Sequence, residues 1–506
     1  MIRITGIMLV CTLMAANTYA GGAGNTDNLA NRFLSNNKVE VKPSDNEPAS
    51  TTISSRSFSA QSFSLKTLSP VDDTNICAVN PTAIINPTGP SLVLNNPELL
   101  RSGFSFSRTM NKIVSTSLSQ STVADNMIGS MIGTYNDASK LNIESDVTMP
   151  IDVRTGELSL VPSELLTDMQ PTAIFNRLDL APSDGSNCGE YRMVYHHDLG
   201  HNVSGRFFII FEAQYPNPTP SQGLAGCLPV ADFWVSLNNK TEDEAALLLE
   251  KFFYEGITHN EVDLPAVVNF NNYSSGQVRV NNFINFNSWQ LREFKTAVSD
   301  GDAIFNLVTV KSNPLAELYG VSSGSDENEL ILFSEFKVDF NTEYINQLLS
   351  PEINGVNSNL TALINTISLN SENKYNEFQS TAQGSSDDPA SLVSSEFMSE
   401  IGSILSTNEN PEIQVITSEM LINRAGAMTC GGCHQFSNND VVAPGVTWPR
   451  SDGFVHVSEN GRLSPALTDS FLPFRAKILT DVSCNRPEPK PVFDAWLIPV
   501  WNLILN

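Results

Sequence analysis

The residues best suited to chemistry lie close together near the C-terminal end, in the segment Cys430-Gly431-Gly432-Cys433-His434. Two thiols at this spacing can form a disulfide, ligate a metal or bond covalently to a cofactor, and the adjacent imidazole adds a metal ligand. The chain has 7 Cys and 6 His in 506 residues, so roughly one chain in a thousand of this composition would contain the pattern by chance. The pattern therefore indicates a functional site.

C-x-x-C-H is the attachment signature of c-type haem, and at this motif and its flanks the chain resembles the c-type cytochromes. The resemblance implies one covalent haem c, with Cys430 and Cys433 bonded to its vinyl groups and His434 as the proximal iron ligand. Gly426 and Ala427 before the motif are small residues, which would let a flat macrocycle approach the backbone. We therefore expect Cys430, Cys433 and His434 to bind the cofactor.

The sixth iron ligand is open to three interpretations. Many single-haem cytochromes use a Met downstream of the motif, whereas the last Met here, Met428, precedes it. The only downstream histidine is His456, so His434 and His456 are the expected metal ligands. An iron with an open position, or a ligand from the middle of the chain such as His196, remains possible.

Other side chains near the motif are candidates for holding a porphyrin. Arginines pair well with carboxylates such as haem propionates, and aromatic rings pack on a macrocycle. The candidates are Arg424, Arg450, Arg462, Trp448, Phe436 and Phe454.

Three alternative sites compete with haem. Cys430, Cys433 and Cys484 with one imidazole could form a Cys3His zinc site. The two motif cysteines could also be a dithiol–disulfide pair, although such a pair is expected at the start of a helix. The third candidate is a hairpin-loop metal site built from His196, His197 and His201, for which a solvated polar loop is the simpler interpretation.

The segment before the motif predicts a helix. Asn410 and Pro411 are typical of an N-cap followed by the first helical residue. Apolar residues then recur at helical spacing up to the motif. We expect one helix to begin at Asn410 and to deliver the two cysteines at its end.

The N-terminal segments predict an exported protein. Residues 1–20 combine Arg3, an apolar run and a small-residue ending, which is typical of a cleaved signal peptide. Residues 21–76 are rich in Ser and Asn and predict a flexible leader. We therefore expect the protein to be periplasmic or secreted. No other segment is apolar for long enough to span a membrane.

The composition limits the classes of partner that the protein is expected to bind. The formal net charge is −26, so phosphate repulsion argues against binding to nucleic acid. A redox partner is expected but its identity is unknown, as is the oligomeric state.

The fold class is predicted to be α+β. Strands are expected at 173–180, 190–195, 206–213, 277–280, 303–310 and 330–338, with a capped helix from Thr241 to Tyr254. An antiparallel β-rich body at 77–340 would be followed by a mainly helical C-terminal portion, 341–506, that carries the motif.

Four cysteines remain if Cys430 and Cys433 hold haem, which suits two disulfides in an oxidising compartment. Cys188 and Cys227 lie in one β-rich block, so we expect Cys188–Cys227 and, by elimination, Cys77–Cys484.

These observations favour an exported haem-c protein that transfers electrons. One alternative is a non-redox binding or structural protein with a Cys430–Cys433 disulfide. The other is a haem enzyme, peroxidase-like or oxygenase-like, with an open iron position, so an oxidoreductase activity is possible but not assigned.

Overall fold

The structure is a computed structural model that describes residues 85–119, 122–136, 139–141, 148–150, 153–200, 204–285, 287–310, 316–320, 327–349, 375, 382–383 and 388–486. These residues all belong to one compact unit. The expected signal peptide, the leader, Cys77 and His201 lie outside the described residues.

An eight-stranded sheet forms the centre of this unit. Its strands are β1 (Val93–Leu94), β2 (Met169–Arg177), β3 (Asn187–His197), β4 (Gly205–Pro216), β5 (Gln277–Ile284), β6 (Gln290–Ser299), β7 (Asp302–Val308) and β8 (Ala382–Gln383). Strands β1 to β7 are neighbours in chain order, β8 pairs with β6, and every pairing is antiparallel. The predicted α+β class with an antiparallel central body is confirmed.

The principal helices flank this sheet. They are α1 (Pro97–Gly103), α2 (Phe106–Ser115), α3 (Ala124–Gly133), α4 (Pro162–Asp168), α5 (Leu228–Ser236), α6 (Glu242–Tyr254), α7 (Phe270–Ser275), α8 (Glu327–Asp339), α9 (Ser395–Thr407), α10 (Ser418–Met428) and α11 (Leu472–Asn485). Helix α6 begins at the predicted capping box, in which Thr241 and Glu244 satisfy each other's backbone N–H groups.

The two faces of the sheet have different partners. On one face, aromatic side chains of the strands pack against the N-terminal helices; the Phe106 ring of α2 lies 5.2 Å from Tyr195 and 5.9 Å from Phe211. On the other face, segments of the C-terminal portion cover the strands, and Arg206 of β4 donates to the backbone oxygen atoms of Asp452 and Gly453. The C-terminal portion therefore closes the second face of the sheet.

Two local predictions were wrong. Residues 330–338 lie in helix α8, not in a strand. Their apolar run resembles a strand, but Phe333 and Phe336 are buried while Leu330 and Ile331 are exposed, which is the pattern of a helix with one apolar face. The helix expected to run from Asn410 to the motif is two helices, Pro411–Gln414 and α10, because Thr417 caps a new start.

The predicted Cys188–Cys227 disulfide is confirmed, with a Cα–Cα distance of 5.4 Å. Cys484 is also disulfide-bonded, and the predicted partner Cys77 lies outside the described residues. In the part of the chain that the structure describes, each helix is too short or too polar to cross a membrane.

Candidate functional site: a cavity at the C-x-x-C-H motif

The motif follows the C-terminal end of helix α10 in a tight helical turn. Thr429 ends the helix, and its hydroxyl accepts from the Gly432 N–H at 2.9 Å and donates to the Gly426 carbonyl at 2.9 Å. A Cβ atom at Gly432 would collide with that same carbonyl, so this turn requires glycine. A π-helical turn, Gly432–Phe436, then carries Cys433 and His434. Such turns are rare and occur frequently at functional sites.

The two motif cysteines are thiols, not a disulfide. The Cys433 sulfur lies 3.5 Å from His456 Nε2. Burial raises the pKa of the Cys433 thiol to about 12, the opposite of the lowered pKa that a dithiol oxidoreductase needs for attack. The motif therefore places a neutral Cys433 thiol beside the His456 imidazole.

One hydrogen bond determines which nitrogen of His434 is available. Its Nδ1 lies 2.9 Å from the carbonyl oxygen of Phe454, an acceptor, so Nδ1 carries the proton. Burial lowers the pKa of His434 to about 4, which keeps the ring neutral. Nε2 is therefore left with its lone pair, the state required for metal ligation.

A polar and aromatic shell from the sheet holds this arrangement. Asn281 of β5 donates to the same Phe454 oxygen at 2.9 Å and accepts from the Trp289 indole N–H at 2.7 Å. The Trp289 ring stacks on both His434 and Phe454, at centroid distances of 5.8 and 5.2 Å. Asn281 of the sheet, Trp289 just before β6 and Phe454 of the C-terminal portion together orient the motif histidine.

His456 lies beside His434. Their ring centroids are 4.7 Å apart, and His456 Nδ1 lies 3.1 Å from the Ser464 hydroxyl. Burial lowers the pKa of His456 well below its usual range, so this ring is also neutral. Two neutral imidazoles therefore line one cavity.

That cavity has a volume of about 460 Å³, within the range of small-molecule and cofactor sites. One wall belongs to the C-terminal portion and includes Met428, Thr429, Cys430, Cys433, His434, Val455, His456, Val457, Leu467, Phe471 and Arg475. The other wall is the second face of the sheet, with side chains from strands β2 to β6.

Charged side chains form a ladder across the sheet wall. Arg192 of β3 pairs with Glu190 at 2.7 Å and with Glu212 of β4 at 3.0 Å. Glu212 also lies 3.5 Å from Arg279 of β5, which pairs with Glu293 of β6 at 2.9 Å. The flanking arginines lower the pKa of the buried Glu212 against the effect of its desolvation, so this carboxylate is charged at neutral pH.

The strand register separates a charged end of the cavity from a mainly apolar end. Arg177 lies opposite Glu190, and Arg192 opposite Glu212. The next row contains Val194 and Ile210 together with the charged pair Arg279 and Glu293, and the row after it is uncharged, with Phe208, Asn281 and Leu291. Asn281 belongs to the shell around His434, so the motif imidazole is at the apolar end.

The structure brings together the four residues that the sequence singled out for cofactor and metal binding: Cys430, Cys433, His434 and His456. It does not bring the three candidate arginines to the cavity. Arg424 is buried and donates to the Val442 and Leu348 carbonyls, whereas Arg450 and Arg462 face solvent.

The candidate aromatic residues lie around the cavity in different ways. Phe454 and Phe436 pack on each other beside Trp289. Trp448 lies behind the cavity wall, against Phe471.

The alternative metal sites find no support in the described residues. Cys484 is disulfide-bonded, so it offers no thiolate to zinc. His196 is buried, with its Nδ1 2.8 Å from the Thr172 hydroxyl. His197 follows it on the same strand, where successive side chains point to opposite faces, so the two rings do not face one metal ion. Within the described ranges, no three His, Cys, Asp or Glu side chains are grouped to hold a metal ion.

Sequence reasoning missed the residues that support the site. Trp289, Asn281, Glu293 and Arg475 are not among the candidates that the sequence suggested. The alternation Gln277-Val278-Arg279-Val280-Asn281 does signal a polar strand face. The alternation does not indicate that the C-terminal portion buries this face.

Comparison of the chain with protein-family models, with curated proteins and with solved structures gives no match.

Proposed function

We propose that this protein is an exported haem-c protein, with one haem attached through Cys430 and Cys433 and with His434 as proximal ligand. The observation that carries the proposal is the state of His434. Its Nδ1 is engaged by a backbone carbonyl and its ring is neutral, in a cavity that it shares with two thiols. Metal-binding histidines usually have one ring nitrogen hydrogen-bonded to a carbonyl or carboxylate in this way, which leaves the other nitrogen for the metal.

The other side chains of the cavity fit a haem. The apolar end offers aliphatic and aromatic surface, the charged end offers arginines, and the 460 Å³ volume suits a cofactor. When bound, haem supplies one-electron transfer. The chain holds His434 in one tautomer and packs the Trp289 and Phe454 rings beside it.

We propose His456 as the sixth ligand. Of the histidines in the described residues, only His456 shares the cavity with His434. His434 and His456 would both hold the iron through a neutral imidazole nitrogen; their ring centroids are 4.7 Å apart. Two imidazoles would give a lower reduction potential than an imidazole and a thioether.

A haem enzyme with an open iron position is the second candidate function. It is favoured by the position of His456, a neutral imidazole in the same cavity as His434, because an imidazole that does not bind the iron would supply an acid–base group beside it. The spin state of the haem-loaded protein separates the two candidates, since six-coordinate bis-imidazole iron is low-spin.

The test of haem attachment is a haem stain on a denaturing gel together with a visible spectrum. The protein is exported in a host that has haem-attachment machinery. We expect a covalent c-type band in the wild type, a weaker band in Cys430→Ser or Cys433→Ser, and none in the double variant.

The matched control is the double variant Cys188→Ser/Cys227→Ser, which also removes two cysteines and should keep the stain. A wild-type protein without stain, or an unchanged stain in Cys430→Ser/Cys433→Ser, contradicts the proposal. A Cys430–Cys433 disulfide in mass mapping of exported protein would favour the non-redox binding protein instead.

A further inference from the structure

Arg475 of helix α11 is a buried cation that is poorly compensated. The residue is only 8% exposed and lines the cavity. Within the described residues its Nε makes no hydrogen bond, and the nearest carboxylate oxygen, Oδ1 of Asp179, is 3.9 Å away. Because an unpaired buried charge is costly, such a guanidinium requires a partner.

Asp179 is a weak partner for Arg475 because its carboxylate is already hydrogen-bonded to Arg177. The Arg177 Nε and Nη2 atoms donate to the Asp179 carboxylate at 3.0 and 2.9 Å. The other two cavity arginines, Arg192 and Arg279, each hydrogen-bond a glutamate. In the described part of the chain, Arg475 is thus the one cavity arginine without a carboxylate at hydrogen-bond distance.

The position of Arg475 identifies the end of the cavity where an anion belongs. Its neighbour Asp179 follows β2 and pairs with Arg177, at the charged end of the strand register. The motif imidazole is at the apolar end, beside Asn281. A ligand that fills the cavity therefore meets, besides the motif imidazoles, a guanidinium that has no carboxylate at hydrogen-bond distance in the described residues.

We propose that Arg475 binds a carboxylate of the ligand that fills this cavity. The identity of that carboxylate rests on the proposed function: in the haem-loaded protein it is a haem propionate, which orients the macrocycle with its propionate edge towards α11. If the protein holds no haem, the same guanidinium takes a small aliphatic carboxylate. Arginine suits this task because its planar fork matches a carboxylate.

The principal experiment uses the haem-loaded protein and Arg475→Met, whose side chain is apolar and similarly long. We expect the reduction potential to fall, because the lost cation had destabilised the oxidised iron. The propionate pKa should rise, so the pH at which the potential becomes pH-dependent moves upward. The propionate bending bands in the resonance Raman spectrum should shift as well.

Two further variants keep the result interpretable. Lys477→Met removes one positive charge from the exposed side of the same helix and should leave all three readouts unchanged. Arg475→Lys keeps the charge but lacks the planar guanidinium. If Arg475→Met does not fold, Arg475→Lys is measured in its place, and we expect an intermediate shift of the Raman bands. Unchanged propionate bands and an unchanged pH profile in the Arg475 variants overturn the inference.

The haem stain decides which carboxylate is tested. If the wild type carries no haem, the probe is acetate, with the melting temperature of the purified chain as the readout. A rise in wild type and Lys477→Met but not in Arg475→Met supports a small-carboxylate site, while the proposed function fails. No acetate effect in a haem-free wild type overturns both proposals.

Discussion

At the scale of single residues, a chain of hydrogen bonds makes His434 a potential iron ligand. Trp289 donates to Asn281, Asn281 donates to the Phe454 carbonyl, and that carbonyl accepts from His434. Each donor is satisfied by the next acceptor, so the ring orientation of His434 depends on an indole just before β6. The orientation of His434 is therefore set by residues outside the motif.

The indole hydrogen bond can be tested with Trp289→Phe. This change leaves the buried Asn281 oxygen without its donor, which should lower the free energy of unfolding by about 1–3 kcal/mol beyond the loss of ring volume. The control is Trp448→Phe, since the indole N–H of the equally buried Trp448 has no hydrogen-bond partner. Urea denaturation of both variants measures the difference, and equal losses would contradict this account.

The sixth ligand can be tested with His456→Ala in the haem-loaded protein. We expect a low-spin spectrum to become high-spin and the variant to bind added imidazole or CO more readily, because the iron loses a ligand. His196→Ala is the control, since His196 is a buried histidine outside the cavity, and its spectrum should be unchanged. A high-spin wild type would instead support the haem enzyme with an open position.

The sequence was informative about the residues that carry the motif but not about those that support it. Cys430, Cys433, His434 and His456 could be singled out from type and spacing alone. Trp289 could not, because an aromatic residue in a strand is usually core, and only tertiary packing brings it to His434. The contact between Trp289 and His434 joins segments more than a hundred positions apart.

At the scale of elements, the charged ladder ties four strands together below the cavity. Glu212 is its central member, with Arg192 on one side and Arg279 on the other, and it accepts from Gln277 at 2.6 Å. A carboxylate with this many donors compensates for the burial of both guanidinium groups. The ladder therefore stabilises the sheet only as long as it is complete.

This dependence predicts unequal effects of two similar changes. Glu212→Gln should lower the free energy of unfolding by roughly 3–5 kcal/mol, because it leaves two arginines under-compensated. Glu190→Gln should cost less, because Glu190 is at the end of the ladder and Arg192 still has Glu212. Urea midpoints of both variants provide the measurement, and a larger loss for Glu190→Gln would contradict the ladder.

Local patterns predicted most elements but failed where two patterns overlap. Strands β3 and β4 and helix α6 lie where the sequence predicts them, because alternation and a capping box are unambiguous local signals. Residues 330–338 contain a continuous apolar stretch that fits either a strand or a helix. Burial of Phe336 against Tyr319 and Phe340 decides for the helix, and these are tertiary contacts.

At the scale of the whole molecule, the site exists only where the C-terminal portion meets the sheet. Arg206 of β4 holds the loop that provides both Phe454 and His456, through the backbone oxygens of Asp452 and Gly453 and an ion pair with Glu459 at 3.2 Å. This contact is remote in sequence but next to the motif in space. It couples the integrity of the cavity to the docking of two distant parts of the chain.

Arg206→Met should therefore loosen that loop. In the haem-loaded protein we expect faster binding of CO or imidazole, because His456 is held less firmly. Arg108→Met is the control: Arg108 likewise bonds a backbone carbonyl and a glutamate, but it belongs to α2 on the opposite face of the sheet. Ligand-binding rates measured by stopped flow should change in the first variant only; equal rates would contradict the coupling.

The position of the motif in the chain also sets an order of events during maturation. All of the sheet strands that form the cavity wall precede Cys430, and the contacts that close the cavity span 173 residues between Asn281 and Phe454 and 246 between Arg206 and Asp452. Contacts of such long range form late, because the intervening chain must first be ordered. A rigid cofactor has to enter before this last closure. If the protein carries the proposed haem, its attachment is thus expected on a chain whose sheet is already assembled and whose final segment is still undocked.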